Sequence, residues 1–208
     1  MFLEHCGERP RIHESAYVAP TATVSGNVSV GRNSRVLFGT VLTAEGGPVE
    51  IGAECVVMEN AVVRGTPKHP ARIGDHVLIG PRAYLSGCTV QDNAFLATGA
   101  TVFNGAVIGE GASLAVNEIG HIEAILPAGA RVPIGWIAVG DPVEIISPQE
   151  DEKRRELMEP QDFYRTVFGA DRESVGQMMP EIMRRYTRSL GSHRMDCTLD
   201  IEQIADGD

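Results

Sequence analysis

The sequence predicts a parallel β-helix followed by C-terminal α-helices, and three regularities carry that prediction. Large aliphatic residues recur every six positions, through Val18, Val24, Val30, Val36 and Leu42, then Ile51, Val57 and Val63, then Ile73, Ile79 and Leu85. The series continues through Val90, Leu96, Val102, Ile108 and Leu114 after one five-residue step between Leu85 and Val90. Two positions before the aliphatic the side chain is often small, as at Ala22, Ser34, Thr40, Cys55, Ala83 and Cys88. Glycine often follows it, at Gly31, Gly52, Gly74, Gly80 and Gly109.

A period of six fits neither the 3.6-residue helix nor the alternation of a simple strand. It fits short strands that turn corners at regular intervals, three hexapeptides making a triangular coil of about 18 residues. The aliphatic fills the prism, the small residue sits near the corner, and glycine eases the turn. Residues 16 to 115 supply five or six such coils, and "RIHESAYV" starts the first. A β-sandwich is the competing reading, but sandwiches do not hold a six-residue register over so long a run. Cys55 and Cys88 fall on small inward positions, which makes them core fillers rather than ligands.

Interruptions in a repeat become loops on one face, often a binding face. Two are "TAEGGPVE" at 43–50 and "RGTPKHPAR" at 64–72. A third, "NEIGHIEAILPAGARVP" at 117–133, reads as irregular before the chain regains "IGWIAVGDPVEI". The character changes at Pro148, which divides the chain into a β-helix at 1–147 and a helical segment with an acidic tail at 148–208.

Within that second part, "PQEDEKRREL" reads as a charged helix and "PQDFYRTVFG" as a short second one. A third places Met178, Met179, Ile182, Met183, Tyr186 and Leu190 near one face, a stripe suited to packing on the β-helix or on a neighbouring chain. Ser174 with Gln177 makes a capping box at its start, with Pro180 in the early turns. The tail from Ser192 reads either as disordered or as pairing with another subunit.

Composition bounds the function. The 208 residues suffice for one domain and an appendage. A chain 43% hydrophobic but only 5% aromatic must build its core from Val, Ile, Leu and Ala. A formal net charge of −10 argues against nucleic acid or an anionic membrane surface as partner. Cys6, Cys55, Cys88 and Cys197 lack metal-finger spacing. The N-terminus does not read as a signal peptide, and no apolar run reaches the about 18 residues of a membrane span. The expectation is a soluble, cytoplasmic protein with reduced thiols.

"NAVVRG" followed by a loop, "IGDHVLIGPRAYLSGCTV", "ATGATVFNGAVIGEGASLA", "AVGDP" and a C-terminal helix together resemble the gamma-class carbonic anhydrases and their hexapeptide-repeat relatives, over roughly residues 10 to 170. The resemblance implies a left-handed coil, an exception to the right-handed crossover rule. It also implies a homotrimer with sites in the clefts between subunits. By the same resemblance Met58 and Glu59 stand at the family's Gln-Asp pair, Asn60 at its asparagine, and Phe38, Gly39 and Thr40 at its Arg-Gly-Asp turn. Its three zinc-ligand histidines fall on Arg64, Pro81 and Ser86.

Those residues do not suit zinc. A catalytic zinc takes about three protein ligands and a water. Proline has no side-chain donor, arginine stays protonated, and a neutral serine hydroxyl is a poor ligand. No metal and no other cofactor is therefore expected, and ordinary zinc carbonic anhydrase activity is not. A metal centre rebuilt from His69 and His121 is the departure from that reading. His5 and His193 are terminal, His13 lies where the first coil starts, and His76 sits on an exposed corner.

Arg64 with Arg82 makes a candidate anion site, to which Tyr84, Ser86 and His121 add polar groups. Guanidinium binds carboxylate or phosphate bidentately. Glu59 or His69 is the candidate general base, and Ser86 the third candidate catalytic group. The plainer reading of Arg64 is a salt bridge to Glu59 or to a neighbour's acid. Three function classes stay open: a metal-independent trimer that binds or transforms a small anionic ligand, a catalytically silent structural or regulatory trimer, and a coenzyme A acyltransferase. The third draws on Gly140-Asp141-Pro142, though Val143 and Glu144 stand where a basic residue would serve the coenzyme phosphates.

Overall fold

An aliphatic and a small residue turned inward from every hexapeptide close a prism with three flat faces. The computed structural model describes residues 1–160, 163–169, 174–200 and 203–204. Over them the chain winds as a left-handed parallel β-helix of about eight turns, with helices at its C-terminal end. The first face holds Phe2–Glu4, Thr23–Ser25, Val41–Ala44, Val62–Gly65, Tyr84–Ser86, Thr101–Val102, Ile119–Gly120 and Ile137–Val139 in spatial order. The second runs from Arg11–Ile12 to Ile125–Leu126, and the third from Tyr17–Val18 to Arg131–Val132.

Register follows the repeat. Thr89 pairs with Val107 and Phe95 with Ser113, steps of 18 residues, while Leu78 pairs with Phe95 and Tyr84 with Thr101, steps of 17. The five-residue interval before Val90 is thus one corner shortened by a residue. Inside, Val24, Leu42, Val63, Leu85 and Val102 form a fully buried ladder along the first face. Each such side chain contributes about 1.5–3 kcal/mol. Hydroxyls at small inward positions find carbonyls on the next coil: Ser34 Oγ donates to Gly52 at 2.7 Å and Thr40 Oγ1 to Met58 at 3.0 Å. Cys55 and Cys88 are buried fillers, and burial pushes the Cys88 thiol up to about 12.

Three expectations change. First, the coil extends further at both ends than the five or six turns read from the sequence. Phe2–Glu4 already lies on the first face, and residues 117–133 are not irregular: Thr101 pairs with Ile119 and Val107 with Ile125 in the regular 18-residue step. The period is hidden there because two positions exchange volume. Glu118 occupies the small inward site, and Gly120 the site of the large aliphatic. A Cβ at Gly120 would meet Val102 and Ile108 side chains at 3.5 Å, so the missing side chain leaves room that the Glu118 side chain can use.

Second, the tail is ordered as far as it is described. Gly191–Met195 is a 3-10 helix and Cys197–Leu199 a strand, antiparallel to Phe2–Glu4 of the same chain with Phe2 opposite Leu199. Leu199 and Ile204 join the main core. Residues 205–208, the end of the acidic tail, lie outside the described residues.

Third, the capping box does not form. The helices are α1 at Asp151–Met158, α2 at Phe163–Phe168 and α3 at Val175–Leu190. Ser174 makes no side-chain cap bond on α3, and its hydroxyl faces the Met178 sulfur at 3.4 Å. Of the α3 stripe only Ile182 is buried, while Tyr186 meets Phe168 of α2 edge-on at 6.1 Å. No helix among the described residues is long and apolar enough to cross a membrane.

Glu118 is fully buried, neither carboxylate oxygen has a hydrogen-bond partner, and burial pushes its pKa up to about 7. Folding therefore retains a proton that the unfolded chain releases from about 4.5 upward, so stability falls between about pH 4.5 and 7 and levels off above. Glu118→Gln removes this dependence. Thermal melting is expected to show the variant equal to the parent near pH 4.5 and more stable by a few degrees at pH 8.

Candidate functional site

Length variation in a coil of fixed cross-section has to leave at the corners. Here it all leaves at one. On the first face the steps from Phe2 to Val24, Val41 to Val62 and Val62 to Tyr84 are 22, 21 and 22 residues. The extra residues lie at 5–10, 45–48 and 66–70, all on the corner between the first and second faces. The last two loops stack backbone on backbone: a Cβ on Gly47 would come within 2.0 Å of the Thr66 carbonyl, and one on Gly65 within 2.2 Å of the Gly47 carbonyl. Only glycine permits that approach.

Below these loops a polar column runs up the outer side of the first face. Ser25, Thr43, Arg64 and Ser86 are register partners on successive strands. Ser25 and Ser86 are nearly sealed from solvent. Arg64 is one-third exposed; its Nη2 lies 3.9 Å from Glu45 Oε2, and its Nε is buried without a hydrogen-bond partner.

Both chain ends converge on the same corner. Cys6 and Gly7, both with positive φ, form the tight two-residue turn between His5 and Glu8. Asp196 caps the 3-10 helix, its amide donating to the His193 carbonyl at 3.2 Å, and this turn brings the two side chains together. His193 Nδ1 is 2.8 Å from Asp196 Oδ2, and His5 Nδ1 is 2.7 Å from Asp196 Oδ1. The two rings stack at 4.3 Å. Glu45 Oε1 lies 2.9 Å from His193 Nε2 and accepts from Thr43 Oγ1 at 2.9 Å. Cys6 Sγ stands 3.4 Å from His5 Nε2. The hydrogen bond to Asp196, then the charge of Glu45, raises the His193 pKa above its usual value. Burial works against ionised Asp196, but the bonds from His193 and His5 hold it below its usual range.

The sequence-derived candidates divide between two corners. Arg64, Ser86, His69 and His121 lie along the loop-bearing one. Thr66 Oγ1 donates to the His69 carbonyl at 3.0 Å, and the His69 ring lies against Gly105. His121 is buried, edge-on to Phe103 at 6.3 Å. Glu59, Pro81 and Arg82 lie on the corner between the third and first faces, where the Arg82 amide donates to the Glu59 carbonyl at 3.0 Å. Arg82 is exposed, in a left-handed corner with φ +58°. Tyr84 points outward from the first face, between Val62 and Thr101. The acid beside Arg64 is therefore Glu45 and not Glu59.

Among the described residues His69 and His121 join no set of converging metal donors, whereas His5, Glu45 and His193 do. Sequence reading passed over His5 and His193 as terminal, and 188 residues separate them. Only the closure of the coil brings them together. Glu45 did carry a signal, since it opens the first insertion.

The raised His193 pKa gives its ion pairs a direction with pH. Their stabilisation is full below about 6.5 and is lost as pH rises through the higher folded value. Thermal melting of His193→Gln is expected to fall a few degrees below the parent at pH 6, with the gap closing toward pH 9. A gap that widens with pH contradicts this assignment.

Residues 70–104 match the family model of the hexapeptide repeat of succinyl-transferase. The chain is 33% identical to mitochondrial gamma carbonic anhydrase 1 of Arabidopsis thaliana, over 69% of this chain and 52% of the relative. It is 31% identical to a carbonic anhydrase of Geobacillus kaustophilus, over 53% of this chain and 61% of the relative. The chain thus spans about half of the length of these curated relatives. A solved hexapeptide transferase family protein from Anaplasma phagocytophilum superposes with a TM-score of 0.59 at 27% identity, over 79% of this chain and 93% of that one. Repeat, coil and relatives agree: the chain is a hexapeptide-repeat β-helix protein similar to the gamma carbonic anhydrases.

Proposed function

We propose that the protein is a gamma-carbonic-anhydrase-like homotrimer that binds a small carboxylate or phosphate-like anion at Arg64, without a zinc ion at positions 64, 81 and 86. The observation that carries this reading is the Arg64 Nε, a buried cationic donor with no partner, beside the nearly buried Ser86. An orphan charged donor is costly unless a ligand completes it. Its ion pair with Glu45 is long at 3.9 Å and its side chain is one-third exposed, which leaves the guanidinium tip available to a carboxylate or phosphate. The same two side chains with Pro81 make a poor zinc donor set, which supports a metal-independent role for these positions.

His69 and Ser86 share the Arg64 corner, and on this reading they are the groups that would act on a bound anion. Glu59 and Arg82 sit on the other corner of the prism, so they serve that site only if a neighbouring subunit brings its own Glu59 corner to it. Tyr84 and His121 then border it. A cytoplasmic location fits the free cysteines, two of them buried.

A second reading, a coenzyme A acyltransferase, is favoured by the likeness to a solved hexapeptide transferase. Val143 and Glu144 after Gly140-Asp141-Pro142 count against it. Melting curves with bicarbonate, acetate, phosphate and coenzyme A separate the readings. In chelator-treated protein, millimolar anion is expected to raise the melting temperature by a few degrees. Arg64→Ala should abolish that rise, and Arg64→Lys should retain only part of it. An equal rise in Arg64→Ala overturns the anchor, a rise with coenzyme A alone favours the transferase, and silence to all favours a structural trimer. Light scattering should give three times the 22.4 kDa chain for both parent and Arg64→Ala.

A further inference from the structure

His5, Glu45 and His193 converge from three distant parts of the sequence with their donor atoms all within 4.8 Å of one another. Asp196 stands behind them. Its two oxygens take the Nδ1 atoms of both imidazoles, at 2.7 and 2.8 Å, and its side chain is 9% exposed. Metal-binding histidines are commonly held this way, the far nitrogen tied to a carboxylate so that the near one is aimed and made more basic. With its Nδ1 engaged, His193 turns Nε2 to Glu45 at 2.9 Å, and the stacked His5 ring leaves its own Nε2 near Cys6 Sγ at 3.4 Å. Thr43 Oγ1 fixes the Glu45 oxygen that meets His193 Nε2.

We propose that His5, Glu45 and His193 form a binding site for a borderline divalent transition ion such as Zn2+ or Co2+, with Asp196 orienting both histidines. Two imidazoles and one carboxylate select such ions over Mg2+ or Ca2+, which take oxygen ligands. Donors about 2.1 Å from a tetrahedral ion stand about 3.4 Å apart, a spacing between the 2.9 Å that separates Glu45 Oε1 from His193 Nε2 and the 4.8 Å within which all three donors lie. With Glu45 and Asp196 ionised and Arg64 beside Glu45, a dication leaves one positive charge in excess. That excess fits hydroxide or a small anion as the remaining ligand. The site adjoins Arg64 through Glu45 but takes no donor from positions 64, 81 or 86, and it does not depend on the anion reading, which is tested in chelator-treated protein.

The test uses the full chain, stripped with a chelator and dialysed, then titrated with Zn2+ by calorimetry and with Co2+ by visible absorption. The expected result is one ion per chain and an intense Co2+ band of low coordination number. His193→Ala and Glu45→Gln should each remove stoichiometric binding. Asp196→Asn should weaken it by about 10- to 100-fold, while His69→Ala leaves it unchanged. Circular dichroism and melting curves identify any variant that fails to fold, and Glu45→Gln, in a surface loop, is the variant chosen to fold. Absence of stoichiometric binding in the parent overturns the proposal, and so does binding that survives both His193→Ala and Glu45→Gln. Either result would leave the four side chains as an ion-pair clasp between the chain ends.

Discussion

The fixed cross-section of the coil is the constraint on which everything else depends. Every hexapeptide must turn one large aliphatic inward, and every strand must meet its neighbours one coil away in register. A residue gained or lost on a face would turn the buried side chains of that strand outward. Length can therefore change only at corners, and the outer side of a face keeps the same column of positions from coil to coil. Chemistry in such a molecule is written on corners and columns. Loops at 5–10, 45–48 and 66–70 and the column Ser25, Thr43, Arg64 and Ser86 meet for that reason.

The first face of the coil has two edges, each a template for unwanted pairing. Both are covered by antiparallel strands of the same chain. Glu144–Ile146 returns along Ile137–Val139 at one end, and Cys197–Leu199 lies along Phe2–Glu4 at the other. The second of these closures carries His193 and Asp196 to His5. A structural device that protects an edge has thereby brought four titratable side chains, His5, Glu45, His193 and Asp196, into contact.

Much of the coil could be read from the sequence because its period is set by geometry that tolerates few exceptions. The insertions after Val41–Ala44 and Val62–Gly65 were equally legible, as was the polar character of Arg64 and Ser86. The reading failed where the rule was met in an unusual way. At Glu118 and Gly120 the large and small sites are both satisfied in summed volume but not in type, so a search for aliphatics sees a break where the fold has none. His5 and His193 failed for a different reason, since sequence proximity says nothing about two ends that meet through an antiparallel strand. Glu59 was grouped with Arg64 by neighbourhood in the chain, and Arg82 because it follows Pro81, yet the width of the first face lies between them and Arg64.

The strand Cys197–Leu199 has to reach the first edge of a sheet whose other edge holds Glu144–Ile146. Ten strands span nine spacings of about 4.8 Å, on the order of 43 Å. Residues 147–196, the three helices among them, have to cover that distance. The helical segment is thus the strap that ties the last coil to the first. A descendant that gained or lost a turn of the prism would need a matching change in this strap, or its two chain ends would no longer meet.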